Sequence, residues 1–166
     1  MNEAYIIGTS HPYQISDGGS RTDADAYLEL LEAACSEHEI RAIAEEMSTE
    51  GLRGGKSIGE ILCQRCGLQY RACDPDSTER ERLGILNEGL VKFRAHQEGW
   101  DEARLNDAIQ SEYRKREAHW LQQLQDLDEW PVLFICGANH VVSFQQHLSQ
   151  NDIAVMVLVS DWEPAK

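Results

Sequence analysis

Two apolar runs near the C-terminus constrain the fold most. One is VLFIC at 132–136, opened by Pro131, and the other is IAVMVLV at 153–159. Neither alternates polar with apolar residues, which is the pattern of strands buried on both faces of a parallel sheet. Between them, residues 141–150 place Val141, Phe144 and Leu148 on one face of a helix, and Asn151-Asp152 turns the chain. Strand, helix, strand over so short a span is a βαβ unit.

The rest of the chain repeats the alternation. Tyr5 to Gly8 reads as a first strand, followed by a polar, glycine-rich stretch from Gln14 to Arg21. Thr22 and Asp25 have the spacing of a capping box, ahead of a helix whose Tyr27, Leu30, Leu31, Ala34, Cys35 and His38 recur with helical period. Ile40 to Ala44 reads as a second strand ending in Glu45-Glu46, and Ile58 to Cys66 as a helix stopped by Gly67. Leu68 to Ala72 is a third strand, closed by Cys73-Asp74-Pro75. Asp76 and Glu79 start a helix expected to carry Leu83, Leu86, Leu90 and Phe93, weakened by Gly84 and Gly89. A long helix spans about Asp101 to Leu127. The expectation is one α/β domain over residues 1–166, with a mostly parallel sheet of about five strands flanked by helices. A chain of 166 residues buries enough surface to need no disulfide or metal for folding.

Charge narrows the partners. Fifteen Lys and Arg against 29 Asp and Glu leave a formal charge of −14. Such a field repels phosphate backbones and anionic lipid, which argues against nucleic-acid and membrane-surface binding. A basic protein partner fits it. The N-terminal MNEAYIIGTSH carries an acid where a signal peptide has a basic region, so the expected location is cytoplasmic. Five cysteines without framework spacing suit a reducing compartment. Cys63 and Cys66 form a CxxC, with Cys73 nearby, and read as thiols of a helix with Cys66 and Leu62 on its buried side. Gly55-Lys56-Ser57 ends like a phosphate loop, but the glycine required five residues before Gly55 is Glu50, so no nucleotide cofactor is expected.

In an open parallel sheet, ligands bind beyond the carboxyl ends of the strands. His11 follows the first strand, Glu45 and Glu46 the second, Asp74 the third, Asn139 and His140 the fourth, and Asp161 the fifth. The long helix adds a cation. Leu105, Ile109, Tyr113, Trp120, Leu124 and Leu127 form an apolar stripe, with Arg116 inside it and Glu117 at its edge. An inward arginine needs partners, either a ligand anion at the rim or a structural acid such as Glu112 or one at the sheet. His38, His96, His119 and His147 lie on helices or helix ends and read as structural.

These residues carry a family resemblance. Ile6-Ile7-Gly8-Thr9-Ser10-His11 resembles the strand-GTxH opening of the superfamily that includes TraB/GumN, Tiki, ChaN and erythromycin esterase. IRAIAEE resembles the group's second strand, with Glu45 or Glu46 as its motif carboxylate. Arg116-Glu117 and the GANH ending in His140 are similar to the later Arg-Asn or Arg-Asp pair and GxxH. The likeness spans nearly the whole chain in fragments, best from Arg114 to Val159. The chain departs from the group in being shorter, in carrying Glu117 for Asn or Asp, and in having Val141-Val142-Ser143 where small residues are usual. The group is chemically mixed, with metal-dependent proteases, metal-free esterases and haem-iron binders.

The leading expectation is a hydrolase of amide or ester bonds in a small-molecule or peptide substrate. Its site is His11, Glu45, Glu46, Arg116 and His140. His11, Glu46 and His140 would hold a divalent transition metal (Mn, Fe, Co or Zn) that activates water, with Arg116 stabilising the oxyanion. In a metal-free version, a glutamate orients a histidine that activates water. The alternatives are a non-catalytic, immunity-type inhibitor using exposed acids such as Glu79, Glu81, Glu98 and Asp101, or a small-molecule binder using the same rim.

Overall fold

A computed structural model of the chain describes residues 2–15, 20–52 and 54–165. Five strands form one sheet in the order β3-β2-β4-β1-β5, with every neighbouring pair parallel. They are β1 (Glu3–Thr9), β2 (Ala42–Glu45), β3 (Gln69–Ala72), β4 (Val132–Gly137) and β5 (Ala154–Trp162). The helices are α1 (His11–Gln14), α2 (Arg21–Glu37), α3 (Ile58–Cys66), α4 (Ser77–Leu83), α5 (Glu88–Glu98), α6 (Glu102–Gln125) and α7 (Val141–Ser149). A 3₁₀ turn, Ala138–His140, joins β4 to α7. Most of the polar stretch expected between Gln14 and Arg21 lies outside the described residues. No helix among the described residues is long and apolar enough to cross a membrane.

Strand alternation divides the core into two layers. Ala4, Ile6, Ala42, Ala44, Val132, Phe134 and Cys136 point toward α6 and α7, packing with Trp120, Leu124, Phe144 and Leu148. Ile7, Ile43, Leu133 and Ile135 point the other way, toward Tyr27, Leu31, Ile58 and Leu62 of α2 and α3. β4, the central strand, is buried from Val132 to Cys136, as a continuous apolar run demands. β5 is not. It sits at the edge, pairs only with β1, and leaves Met156 54% exposed. Its apolar run does not mean burial on both faces: Ala154 and Met156, on the α2 side, are exposed, and no helix among the described residues covers them. Gly8 is where β1 comes closest to its neighbours: a Cβ there would lie 2.1 Å from the Ser160 carbonyl oxygen.

Three local expectations are corrected. The capping box of α2 is Ser20 with Asp23, not Thr22 with Asp25: each side chain meets the other's backbone N–H. The helix expected from Asp76 onward is two helices. Gly84 ends α4 in the left-handed region at φ 64°, and the Asn87 side chain caps a fresh start at α5. In α3 the buried pair is Leu62 with Cys63, while Cys66 is exposed at the C-terminal end.

Candidate functional site

The connections after β1 and β4 create the site. The two strands are adjacent, yet β1 leads to α2 on one face and β4 leads to α7 on the other. Parting loops at neighbouring carboxyl ends leave a crevice. His11 stands on one side of it, in the first turn of α1, and His140 on the other, in the 3₁₀ turn. A cavity of about 540 Å³ opens there, also lined by Glu46, Asp161 and, from α6, Tyr113 and Arg116.

The two glutamates after β2 part company. Period two puts Glu45 on the α2–α3 side with Ile43, so Glu46 emerges on the α6 side, in the cavity. Of the five site residues expected from sequence, His11, Glu46, Arg116 and His140 come together. Glu45 does not: it is buried behind the sheet, where Tyr70 donates to its Oε2 at 2.6 Å. Burial raises its carboxyl to about 7.

Arg116 is held by acids at the sheet, and still faces the cavity. Its Nη2 donates to Glu46 Oε1 at 2.5 Å and to Asp74 Oδ1 at 2.8 Å, while Nε donates to Asp74 Oδ1 at 3.0 Å. Asp74 also receives Arg80 Nη2 at 2.5 Å and the Trp120 indole N–H at 3.1 Å. The second oxygen of Glu46 accepts the Gly137 N–H at 2.7 Å. Burial pushes the Glu46 carboxyl upward. The neighbouring His11, with Nε2 3.6 Å from Oε1, and the charges of Arg116 and His140 outweigh it and hold the group near 2. In return the adjacent Glu46 carboxylate raises the half-exposed His11 above its ordinary value, against a smaller opposing effect of burial.

His140 is oriented by Glu117, which the apolar stripe placed at the helix edge and the resemblance set in the place of an Asn or Asp. Its Nδ1 lies 2.7 Å from Glu117 Oε1, and the Ser143 hydroxyl donates to the same oxygen at 2.7 Å. Both Glu117 and His140 are buried. The imidazole is flanked by Tyr113 and Trp120, with ring centroids 4.3 and 4.8 Å away. Its Nε2 turns to the cavity, 3.5 Å from Arg116 Nη1 and 3.7 Å from Glu46 Oε1. An Nδ1–H donated to Glu117 leaves the Nε2 lone pair facing the cavity, where an Arg116 N–H points at it. Sequence reasoning missed Ser143 and the role of Glu117. The available signal was a carboxylate beside Arg116 on a helix that must cross the strand ends.

Other candidates fall elsewhere. Cys63 is buried and directed at the Gln69 carbonyl, with its thiol pushed up to about 12 by burial, so it is a poor thiolate ligand. Of the acids considered for a basic partner, Glu98 is already paired with Arg94 and Arg104, and Asp101 caps α6 by accepting the Arg104 N–H.

The expected metal ligands are close, but not arranged as a metal centre. His11 Nε2 and His140 Nε2 lie 3.6 and 3.7 Å from Glu46 Oε1. That same oxygen binds the Arg116 guanidinium, a fixed cation that repels a divalent ion. No group of three or more His, Cys, Asp or Glu among the described residues is placed to hold a metal. The donor set in this arrangement does not fit one. Compared with known proteins, the chain matches no family model, and no curated protein or solved structure matches it significantly.

Proposed function

We propose that the rim crevice hydrolyses an ester or amide with His140 as general base. The observation that carries this reading is the buried Glu117–His140 pair, with Nε2 turned to the cavity. A water between Nε2 and the substrate carbonyl gives its proton to His140 as its oxygen bonds to the carbonyl carbon. Glu117 holds the ring and stabilises the imidazolium. Arg116 Nη1 is the guanidinium nitrogen not committed to a carboxylate; its contact with Nε2 is long, 3.5 Å, and yields to the water, which frees Nη1 to donate to the oxygen that becomes negative. The carbonyl then re-forms, the bond to the leaving oxygen or nitrogen breaks, and that atom takes a proton from His140 or from His11. The raised titration of His11 suits it to the role of acid.

The test is turnover of neutral esters and amides by wild type, His140→Ala and Glu117→Gln. Loss of His140 should abolish turnover, and Glu117→Gln should lower kcat by about 10³–10⁴-fold through the wrong tautomer. Full activity in His140→Ala would sink the reading. Elemental analysis of protein purified without chelators is the companion measurement. A stoichiometric Mn, Fe, Co or Zn that disappears in His11→Ala/His140→Ala would replace this scheme with the metal-dependent one.

A further inference from the structure

We propose that the site selects substrates with an apolar acyl or aromatic group, seated in a groove along α5 formed by Ile85, Leu86 and Leu90. This rests on the hydrolase reading of the rim. Six large apolar side chains among the described residues are conspicuously exposed, and four of them fall between positions 83 and 93: Leu83 37%, Leu86 38%, Leu90 51% and Phe93 63%. Single exposed apolar residues are ordinary, whereas a run of them marks a contact surface. The fold does not use them for packing. Ile85, Val91 and Ala95 do that, each at most 5% exposed. The segment is fastened to α6 by polar bonds instead: Glu112 accepts the Leu86 N–H at 2.7 Å and Lys115 Nζ donates to the Gly84 carbonyl at 3.0 Å.

Continuity with the crevice identifies the occupant. The groove has a volume of about 300 Å³ and shares Arg80, Leu86 and Asn87 with the 540 Å³ cavity. Val91 and Ile109 give the α5–α6 wall of that cavity an apolar strip, beside Glu88 and Glu112. A molecule whose carbonyl lies beside His140 can therefore run its chain past Leu86 toward Leu90. A neutral ester or amide suits the place better than a free carboxylate. Arg80 and Arg116 are already engaged by Asp74 and Glu46, and the chain carries −14. The same charge opposes a second copy docking here.

The experiment compares p-nitrophenyl acetate, butyrate and octanoate on wild type, Leu86→Ser/Leu90→Ser and a control, Met156→Ser, whose exposed side chain lies on β5. A parallel titration measures binding of octanamide and acetamide by calorimetry. Each methylene buried in the groove is worth about fourfold. The octanoate-to-acetate ratio of kcat/KM is expected to exceed about tenfold in wild type and Met156→Ser, and to collapse in the double variant. Octanamide binding lost in the double variant, with no ester cleaved by any form, upholds the groove and overturns the hydrolase reading. Esters cleaved without chain-length preference overturn the groove and leave the hydrolase reading standing. Neither turnover nor binding overturns both. A concentration-dependent dimer abolished by the double variant, with no octanamide bound, also overturns the groove, as a surface for self-association.

Discussion

Glu45 and Glu46 are adjacent in the chain and both are buried, yet the sheet holds them in opposite states. Behind the sheet, Glu45 accepts from the Tyr70 hydroxyl, and its Oε1 has no hydrogen-bond partner among the described residues. Gly59 of α3 packs on it so tightly that a Cβ there would stand 2.8 Å from Oε1. At the rim, Glu46 meets a guanidinium, a backbone N–H and two imidazoles. Burial is nearly the same, and the carboxyls titrate near 7 and near 2. The difference teaches that burial sets the cost of a charge here, and that the donors decide whether the charge exists.

The largest effect should come from removing the cation. Arg116→Met strips the buried Glu46 of its guanidinium and leaves Asp74 with Arg80 alone, and should cost about 3–5 kcal/mol in urea unfolding at pH 7. The same substitution should make Glu46 titrate closer to Glu45. An unchanged unfolding midpoint would break the comparison.

Next is the pH dependence of stability, where the two residues have opposite signs. The folded carboxyl of Glu45 lies above its ordinary 4.5, so its contribution is present below pH 4.5 and lost as pH rises through about 7. That of Glu46 lies below 4.5, so its contribution is present above pH 4.5 and lost as pH falls through about 2. Each amounts to roughly 3 kcal/mol. Glu45→Gln should therefore remove the decline in stability between about pH 4.5 and 7 and leave the acid limb in place. A decline that persists in Glu45→Gln would assign it to another group.

Tyr70→Phe should act more weakly and in one direction. It removes the 2.6 Å hydrogen bond to Glu45, so stability should fall by about 1–2 kcal/mol above pH 7 and by less at pH 5. An equal loss at both pH values would mean that the hydroxyl serves packing and not the carboxylate.

The smallest stability effect belongs to His11, whose side chain is 52% exposed. His11→Ala should change stability by less than about 0.5 kcal/mol, while turnover falls. Histidine NMR titration sharpens the point: His11 should titrate above its ordinary value in wild type and drop in Glu46→Gln.

Elements were legible in the sequence wherever local rules act alone. β4 and α3 follow from their apolar run and glycine stop, and α6 from its stripe. The split at Gly84 was harder to see, because a left-handed glycine and an Asn cap three residues later outweigh a helical spacing of leucines. The edge position of β5 could not be seen, because an apolar run records side-chain type and not which neighbours arrive. The site was legible in outline for a related reason. Residues that follow parallel strands share a rim, which brought His11, Glu46, Asp74 and His140 into view, and a stripe calculation turned Arg116 inward.

Taken by itself, the amino-acid sequence determined the parallel α/β class and the rim on which polar residues gather. Those follow from periodicity, which is local. Only the tertiary structure decided that Glu46 is the one in the crevice. It also made Glu117 the partner of His140 and set Arg116 on the oxygen a metal would use. Each of these depends on which face α6 crosses and on pairings between residues 23 to 70 positions apart. No local period encodes such contacts, and they exist only once both layers have packed against the sheet.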